Sequence, residues 1–380
     1  MANKAYNKPI HAAVLTYSCF AEGHVGMKIE KNQIAKEGKN KPLYPHDLKA
    51  IATKLNTSYI HPDRCMTYNL GTGQDGEPVA EVLVLKDGMR MLGVDKDELL
   101  NQIQNIPTVD KQMLNTRQNK VMNKHKRHNF NIGDKIIEAD IAKGQSTLYN
   151  FKCNFLSEAK KLRDAFTNLA PGDHTMKNLL AEANVYYADE YKKNNFCGIG
   201  YHGDAERPRS PVIGCNVGAD RYLCFRAFHK NRYFNDCETR IHLQHGDIYF
   251  MSEHAVGCNW KKSSQVVYRH RAGSLKFLAK DDKDRARRWA LADEKANRKL
   301  REFRRSMGFD KTQEEKEALR EEERRTLALA RLHCQENLPP SPSTKRKAEV
   351  VEVTDYTEEV TRNGKKYKKC VSYVPMVDLT

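Results

Sequence analysis

The stretch Gly198-Ile199-Gly200-Tyr201-His202-Gly203-Asp204 decides the fold class that this sequence indicates. It begins as an apolar segment and ends in a His-x-Asp motif. Because side chains alternate along an extended strand, His202 and Asp204 would lie on one face, as a chelating pair requires. Two histidines and one carboxylate on one face are typical of an Fe(II) site whose opposite face stays open. The stretch therefore predicts two metal ligands at the end of a strand and a second histidine several strands later.

Two other His-x-Asp motifs occur in the chain, and their contexts favour other roles. His61-Pro62-Asp63 lies in a loop-like setting with no strand pattern around it. His245-Gly246-Asp247 comes directly before the apolar stretch 248–251. Gly-Asp at such a place is typical of a turn that feeds a strand, with the aspartate bonding its own backbone. Of the three motifs, we therefore favour the one at residues 202–204.

The region around this motif, residues 126–280, has the texture of a β-rich domain. Short apolar or aromatic runs, such as 211–215, 221–226 and 248–251, are separated by Gly, Pro, Asn and Asp. Short strands at such intervals indicate a sandwich or jelly roll. Apolar residues also recur at helical spacing before them, which predicts a helix packed on the β core; these are Leu156, Ala159, Leu162, Ala165, Phe166 and Leu169.

The segments outside this region differ from it in composition. Residues 1–125 read as an N-terminal α/β extension, with a strand at 80–85 and the acidic first turn of a helix at 95–100. Residues 281–338 are charged and predict an exposed helix, broken near Gly308. Residues 339–380 form a Pro- and Ser-rich linker and a basic tail, whose last thirty residues are either a strand pair or disordered. The Lys345-Arg346-Lys347 cluster there is typical of a nuclear import signal.

Composition excludes several classes of protein. No stretch approaches the roughly 20 apolar residues that span a bilayer, and the N-terminus lacks the pattern of a secretory signal. We therefore expect an intracellular protein with no membrane partner. The 10 cysteines are scattered with no Cys-x-x-Cys pair, which argues against a zinc finger or a disulfide framework. The net charge of +16 favours a polyanion such as nucleic acid as partner.

Several blocks in the same order resemble the AlkB-type nucleic-acid oxygenases, which depend on Fe(II), 2-oxoglutarate and O2. The blocks are 184–187, 198–207, 211–213, 220–226 and 245–251. Further blocks resemble a narrower group of AlkB-like oxygenases that is typical of large DNA viruses and protists: 127–130, 251–257, 260–262 and 269–273. The resemblance covers residues 126–280 and, more faintly, 75–125. It implies an α+β fold with a double-stranded β-helix (jelly-roll) core and flanking helices.

The resemblance also implies roles for individual residues. His202 and Asp204 would bind Fe(II), and Asn184 and Tyr186 would hydrogen-bond the co-substrate 2-oxoglutarate. Glu206 would lie where some AlkB-type enzymes read the edge of a flipped base. The family activity is hydroxylation or demethylation of a nucleic-acid base, as in DNA repair or modification.

The second metal-binding histidine is one place where the sequence departs from the general family pattern. Alignment to the best-known AlkB-type members puts Lys262 at that position, and a protonated lysine cannot bind iron. In the narrower group the matching histidine is His270, which we favour. His254 is an alternative, and a site without this second histidine is another.

The second departure concerns the distal carboxylate of 2-oxoglutarate. The expected Arg-x-Asn-x-Thr-x-Arg strand is absent, and residues 271–277 stand in its place. We expect Lys276 to form the salt bridge, with Arg271 as the second candidate.

Three functions remain open on these grounds. The first is an oxygenase or demethylase that acts on nucleic acid, which the basic charge and Glu206 favour. The second is an oxygenase that acts on protein or a small molecule, because function follows the site and not the fold. The third is a catalytically silent, nucleic-acid-binding protein that keeps the fold, which Lys262 and the missing arginine strand favour. The oligomeric state has no signal in the sequence.

Overall fold

The computed structural model describes residues 9–21, 27–58, 64–73, 76–124, 127–172, 176–187, 197–204, 210–234, 237–306, 317–318, 320–327, 356–362 and 365–371. A first compact unit, Met1–Glu294, contains nearly all of the regular structure. The second unit, Lys295–Thr380, is described separately below.

Strands dominate the first unit. In chain order they are β1 (Ile10–Ser18), β2 (Phe20–Ala21), β3 (Glu30–Lys31), β4 (Cys65–Thr72), β5 (Pro78–Leu85), β6 (Gln112–Asn115), β7 (Lys120–Asn123), β8 (His128–Gly133), β9 (Leu148–Asn150), β10 (Leu180–Tyr187), β11 (Gly198–His202), β12 (Val212–Gly218), β13 (Arg221–His229), β14 (Arg232–Tyr233), β15 (Thr239–Leu243), β16 (Ile248–Met251) and β17 (Val267–Gly273).

The helices of the described residues are fewer. They are α1 (Gln33–Lys36), α2 (Pro45–Ser58), α3 (Gly88–Met91), α4 (Lys96–Gln104), α5 (Ser157–Leu169), α6 (Glu253–Val256) and α7 (Leu275–Ser306), with short 3-10 helices at Ile141–Lys143 and Asn154–Leu156. The fold is therefore α+β, as the sequence predicts. Among the described residues, no helix combines the length and the apolar character that crossing a membrane requires.

Two sheets carry the architecture of this unit. The larger has eight strands in the order β4-β5-β16-β12-β1-β10-β8-β9. The smaller has the order β11-β17-β13-β14, and β15 pairs with the other edge of β13. From β10 onward the chain crosses repeatedly between the two sheets: β10, β12 and β16 belong to the larger one, and β11, β13 to β15 and β17 belong to the smaller one.

Both faces of the larger sheet are buried. Because side chains alternate along a strand, neighbouring residues of one strand belong to different cores. In β16, Ile248 and Phe250 join the core that contains residues of α2, α4 and α5. Tyr249 and Met251 join a second core that also contains Leu223 and its neighbours from the smaller sheet. Each large apolar side chain buried in this way stabilises the fold by about 1.5–3 kcal/mol.

Local sequence signals predicted several elements correctly. The strand expected at 80–85 is β5, and the helix expected from the spacing of Leu162 and Phe166 is α5. The helix expected after residue 95 is α4, and its N-cap Asp95 accepts hydrogen bonds from two backbone N–H groups of the first turn. Such a cap is worth about 1 kcal/mol.

The boundary that the sequence suggests at residue 125 does not divide the structure. β1, β4 and β5 come from residues 1–125, yet β1 pairs with β10 and β12, β5 pairs with β16, and β4 pairs with β5 in the same sheet. β1 lies between β10 and β12, at the centre of the larger sheet. The N-terminal residues are therefore part of the same fold, because long-range strand pairing joins segments that differ in local composition.

The second unit contains little regular structure among its described residues. It includes the end of the charged helix α7, which the sequence predicts, further helical residues at 317–318 and 320–327, and an antiparallel hairpin of β18 (Tyr356–Arg362) and β19 (Lys365–Val371). This hairpin is the strand pair that the sequence left as one of two options for the tail. The linker at 339–343, the Lys345-Arg346-Lys347 cluster and the break expected near Gly308 lie outside the described residues.

Candidate metal centre

Two neighbouring strands of the smaller sheet bring the two favoured histidines together. β11 and β17 run antiparallel, and His202 lies directly opposite His270 in their register. Asp204 follows the end of β11, where its backbone N–H donates to the Val256 carbonyl. A bulge between Ile199 and His202 adjusts the register. Strand pairing therefore joins residues that are distant in the sequence.

The three side chains form a compact cluster. His202 Nε2 lies 3.6 Å from one oxygen of Asp204, and His270 Nε2 lies 3.8 Å from the other. The imidazole centroids are 4.3 Å apart, and one ligand atom from each residue falls within 4.8 Å of the other two. Ligand atoms on one metal ion at bond lengths near 2.1 Å are about 3 Å apart, so a shift of under about 1 Å would close the site.

Local interactions set the orientation and the protonation state of His202. Its Nδ1 lies 2.9 Å from the Gly200 carbonyl, to which an Nδ1–H donates. The Nε2 lone pair is then directed towards Asp204. Burial, together with the adjacent His270, lowers the pKa of His202 to about 3. The imidazole is therefore neutral at physiological pH, and the neutral form is the one that binds metals.

The glycine between His202 and Asp204 is a steric requirement of the cluster. A Cβ on Gly203 would lie 2.5 Å from the Gly257 carbonyl oxygen and 2.5 Å from the Trp260 ring. Any larger residue would push the chain away from these neighbours. Gly203 thus allows the segment that carries His202 and Asp204 to pack closely against the turn that follows α6.

The cluster opens into a cavity of about 410 Å³ between the two sheets. The smaller sheet contributes the two histidines, Ile199, Leu223 and Ala272, and the larger sheet contributes residues of β1, β10, β12 and β16. Asn184 and Tyr186, predicted to contact 2-oxoglutarate, both line it. They lie on one face of β10 because they are two residues apart.

Arg221 is the most unusual residue of the cavity wall, and the sequence analysis did not select it. It is 4% exposed, and its guanidinium carbon lies 3.9 Å from the Tyr186 ring centroid. Among the described residues, none of its three guanidinium nitrogens has a hydrogen-bond partner. A buried cation in this state costs several kcal/mol. Such a group is suited to bind an anionic ligand.

A signal for Arg221 was present in the sequence. Arg221 is two and four residues before Leu223 and Phe225, so in a strand its side chain points to the same side as theirs, towards the interior. The same argument applies to Glu182, which shares its face of β10 with Asn184 and also lines the cavity. Arg127 lines it too, and its Nε donates a hydrogen bond to the Asn184 side chain.

Neither residue expected to bind the distal carboxylate of 2-oxoglutarate lies in the cavity wall. Lys276 is exposed in the first turn of α7. Arg271 is fully buried on the opposite face of the smaller sheet, because it is adjacent to His270 on β17 and adjacent residues face opposite sides. There it pairs with Glu238 at 2.5 Å and with Asp282 at 2.7 Å.

These contacts of Arg271 connect the two strands that carry the histidines. Glu238 accepts hydrogen bonds from Arg271 on β17 and from the Tyr201 hydroxyl on β11. The Arg271 guanidinium also stacks on the Tyr201 ring, 4.6 Å from its centroid. We call Tyr201, Arg271 and Glu238 the outer clamp. It lies behind the cluster of His202, Asp204 and His270 and holds β11 and β17 together.

The remaining sequence candidates lie elsewhere. His254 is in α6 and Lys262 is exposed in the turn after it; neither lines the cavity. Glu206 and the His61-Pro62-Asp63 motif lie outside the described residues. The interpretation of His245-Gly246-Asp247 as a turn is confirmed: Gly246 has a φ of 92°, and the Asp247 carboxylate accepts the Gln244 N–H.

Comparison with known proteins identifies a viral relative. A search against protein-family profiles found no match for this chain. The chain is 31% identical over 279 residues to the uncharacterized protein R156 of Acanthamoeba polyphaga mimivirus. The similarity covers 70% of this chain and 96% of the viral protein.

Proposed function

This chain belongs to the same family as the mimivirus protein R156, and we propose that it is an Fe(II)- and 2-oxoglutarate-dependent oxygenase acting on a nucleic-acid base. One observation carries the proposal. Two imidazoles and a carboxylate converge at the wall of a cavity that also contains a buried guanidinium without a hydrogen-bond partner among the described residues. The cluster fits a cation, and the guanidinium fits the far carboxylate of a dicarboxylic keto acid.

The donor set supports iron as the resident metal. Two histidines and one carboxylate leave coordination positions open, which suits Fe(II) in oxygenases. His202, Asp204 and His270 would hold the ion. When bound together with the keto acid, iron supplies activation of O2 and hydroxylation of a nearby C–H bond.

The residues of this chain then have separate tasks. Arg221 would bind the distal carboxylate of 2-oxoglutarate, in place of the Arg271 and Lys276 expected from the sequence. The Tyr186 ring stacks on the Arg221 guanidinium, and the Asn184 side chain provides an amide in the cavity wall. The apolar wall formed by Leu223 and its neighbours excludes water from the reacting groups.

The strand order supports a double-stranded β-helix as the core. From β10 to β17 the chain crosses repeatedly between two facing sheets, as in jelly rolls, with β13, β14 and β15 together in the smaller one. After β17 the chain enters α7 instead of another strand, and β1 fills the central place between β10 and β12. In this proposal β1, which comes from the N-terminal part of the chain, occupies the position that the Arg-x-Asn-x-Thr-x-Arg strand would otherwise have in the sheet. This accounts for the absence of that strand after β17.

Positive charge near the cavity favours nucleic acid over other substrates. The chain has a net charge of +16. The β6–β7 hairpin contributes Met113 to the cavity wall, while Arg117 and Lys120 are exposed nearby on the same hairpin. If these side chains contact phosphates, the affinity for single-stranded DNA should fall steeply with salt, and each lost contact should reduce the slope by about 0.7.

Metal and keto-acid binding under anaerobic conditions tests the proposal. Purified protein with ferrous iron and 2-oxoglutarate should show the visible charge-transfer band of the keto-acid chelate. When the sample is then exposed to air, 2-oxoglutarate should be converted to succinate. Asp204→Ala should abolish both signals, whereas Asp97→Ala, which alters an exposed carboxylate on α4, should retain them. Wild-type protein that takes up no ferrous iron would refute the proposal. Iron uptake without keto-acid binding would favour a silent, nucleic-acid-binding protein.

A further inference from the structure

Trp260 separates the cavity from a group of cations outside it. Its side chain lines the cavity and packs closely against Gly203. The Lys261 ammonium lies 5.5 Å from the centroid of the indole, and the Arg269 guanidinium carbon lies 5.4 Å from it. Because Arg269 is adjacent to His270 on β17, it belongs to the face of the smaller sheet that is turned away from the cavity. The indole therefore has the cavity on one side and two cations on the other.

Arg269 is a buried cation whose hydrogen-bond acceptors are uncharged. The residue is 7% exposed. Its Nη2 donates to the side-chain oxygen of Asn231 at 2.6 Å and to the backbone carbonyl of Trp260 at 3.1 Å. Its Nε has no hydrogen-bond partner among the described residues. Since a buried charge is costly without an opposite charge beside it, this guanidinium favours the binding of an anion.

Two neighbouring arginines add to the positive charge around Arg269. Arg226 lies directly opposite Arg269 in the register of β13 and β17, and like charges in such a cross-strand pair repel each other. Burial, and after it the charge of Arg285, lowers the pKa of Arg269. The carboxylate of Asp281 that pairs with Arg285 is shared with Arg271. This part of the protein therefore has an excess of positive charge.

Two turns add exposed lysines to this surface. In the turn between β13 and β14, the backbone N–H of Lys230 donates to the Ser263 carbonyl at 2.8 Å, which joins this turn to the one that follows α6. Asn231 of the first turn and Trp260 of the second both accept hydrogen bonds from Arg269. The lysines next to them therefore lie on the same surface as Arg269. The three lysines of these turns are exposed: Lys230, Lys261 and Lys262.

We propose that a set of four cations, which we call the Trp260 rim, binds the phosphates of a single-stranded nucleic acid. The rim consists of Lys230, Lys261, Lys262 and Arg269. Lysine and arginine side chains are the usual partners of phosphate oxygens. The strand runs along the rim, and one base turns past the Trp260 ring into the cavity of about 410 Å³. This step rests on the proposed function, because it takes a base as the group that reacts.

Oligonucleotide binding to the full chain tests the Trp260 rim. The chain has 2 tryptophans, so a Trp289→Phe background leaves Trp260 as the fluorescent reporter. Metal-free protein is titrated with an oligothymidylate of about ten nucleotides. Titrations at several salt concentrations give the slope of log K against log [salt], which reports the number of phosphate contacts. A poly-glutamate peptide with the same number of charges is the second probe.

We expect the oligothymidylate to change the Trp260 emission and to bind more tightly than the peptide. Lys261→Met combined with Lys262→Met should reduce the magnitude of the slope by about 1.4, since each lost phosphate contact removes about 0.7. Arg269→Met should weaken binding at low salt by about tenfold or more. The matched control combines Lys152→Met with Lys160→Met, two exposed lysines beside the core that contains α5, and should leave the slope unchanged.

An unchanged slope in the rim double variant would overturn the proposal, as would wild-type protein that binds no oligothymidylate. Equal affinity for the poly-glutamate peptide would also overturn it, because the partner would then be any acidic chain. If Arg269→Met does not fold, the double variant decides alone, since both of its lysines are exposed. If the slope depends on the rim but the protein takes up neither iron nor keto acid, the rim stands and the proposed oxygenase function fails.

Discussion

Replacing Arg221 by methionine should separate stability from ligand binding. Methionine keeps much of the side-chain volume but removes a buried cation that has no hydrogen-bond partner among the described residues. Exchange of buried ionic groups for apolar ones is neutral or stabilising by about 1–4 kcal/mol. Loss of the cation–π contact with Tyr186 offsets about 1–2 kcal/mol of this. Without ligand, Arg221→Met should therefore be within about 2 kcal/mol of the wild type or more stable than it.

The effect on keto-acid binding should have the opposite sign. Removing one partner of a buried charge pair costs at least about 2 kcal/mol, or about 30-fold in affinity. At a keto-acid concentration of 100 times the wild-type Kd, ligand stabilises the wild type by about 2.7 kcal/mol. The same concentration would stabilise the variant by only about 0.9 kcal/mol. At about 2 °C per kcal/mol, the ligand-induced shift in Tm falls from about 5 °C to about 2 °C.

Thermal unfolding with Mn(II), with and without 2-oxoglutarate, measures both effects in one experiment. Arg226→Met is the matched control, since Arg226 lies on the other face of β13 and stacks on Tyr233. The control should keep the full ligand-induced shift. The reasoning is refuted if Arg221→Met unfolds well below the wild type without ligand, or if its ligand-induced shift equals that of the wild type.

Three further substitutions test other parts of the structure. Gly203→Ala should weaken Mn(II) binding by about tenfold or more in calorimetric titration, because its Cβ would collide with the Trp260 ring and the following turn; unchanged affinity would contradict the packing argument. Glu238→Gln should lower the free energy of unfolding, measured in urea, by about 3 kcal/mol, because the Arg271 guanidinium loses a buried partner. A change below about 0.5 kcal/mol would show that the outer clamp does not stabilise the fold. Burial lowers the pKa of Lys124 to about 8, so the unfolded chain binds more protons and stability should rise between about pH 8 and pH 10.5. Lys124→Met should lack this rise, which is at most about 3 kcal/mol in the wild type, and an identical profile in the variant would exclude Lys124 as its source.

The local part of the site could be predicted from the sequence, since it depends on near neighbours. The placement of His202 and Asp204 on the same side follows from strand alternation, and the turn at Asp247 follows from its Gly-Asp pair. The choice of His270 over His254 came from a resemblance. Its placement opposite His202 depends on the pairing of β11 with β17, and distant pairings leave little trace in local pattern.

The role expected of Arg271 shows where reasoning along the chain failed. Residues 271–277 stand where the resemblance expects the Arg-x-Asn-x-Thr-x-Arg strand, which suggested a place for Arg271 near the keto acid, yet Arg271 follows His270 and adjacent residues of a strand face opposite sides. Arg221 lies much earlier in the chain and faces the cavity through its own strand. The side of the strand on which Arg221 lies could be predicted from the sequence, but its proximity to Tyr186 could not.

The sequence by itself determined the α+β class, the helix α5, the short strands and the placement of His202 and Asp204 on one side of the chain, because each depends on periodicity over a few residues. Only the tertiary structure decided that β1 lies between β10 and β12, and which arginine faces the cavity. Both depend on pairings between segments far apart in the chain. Those pairings are selected by burial of whole sheet faces, a property of the assembled fold and not of any one segment.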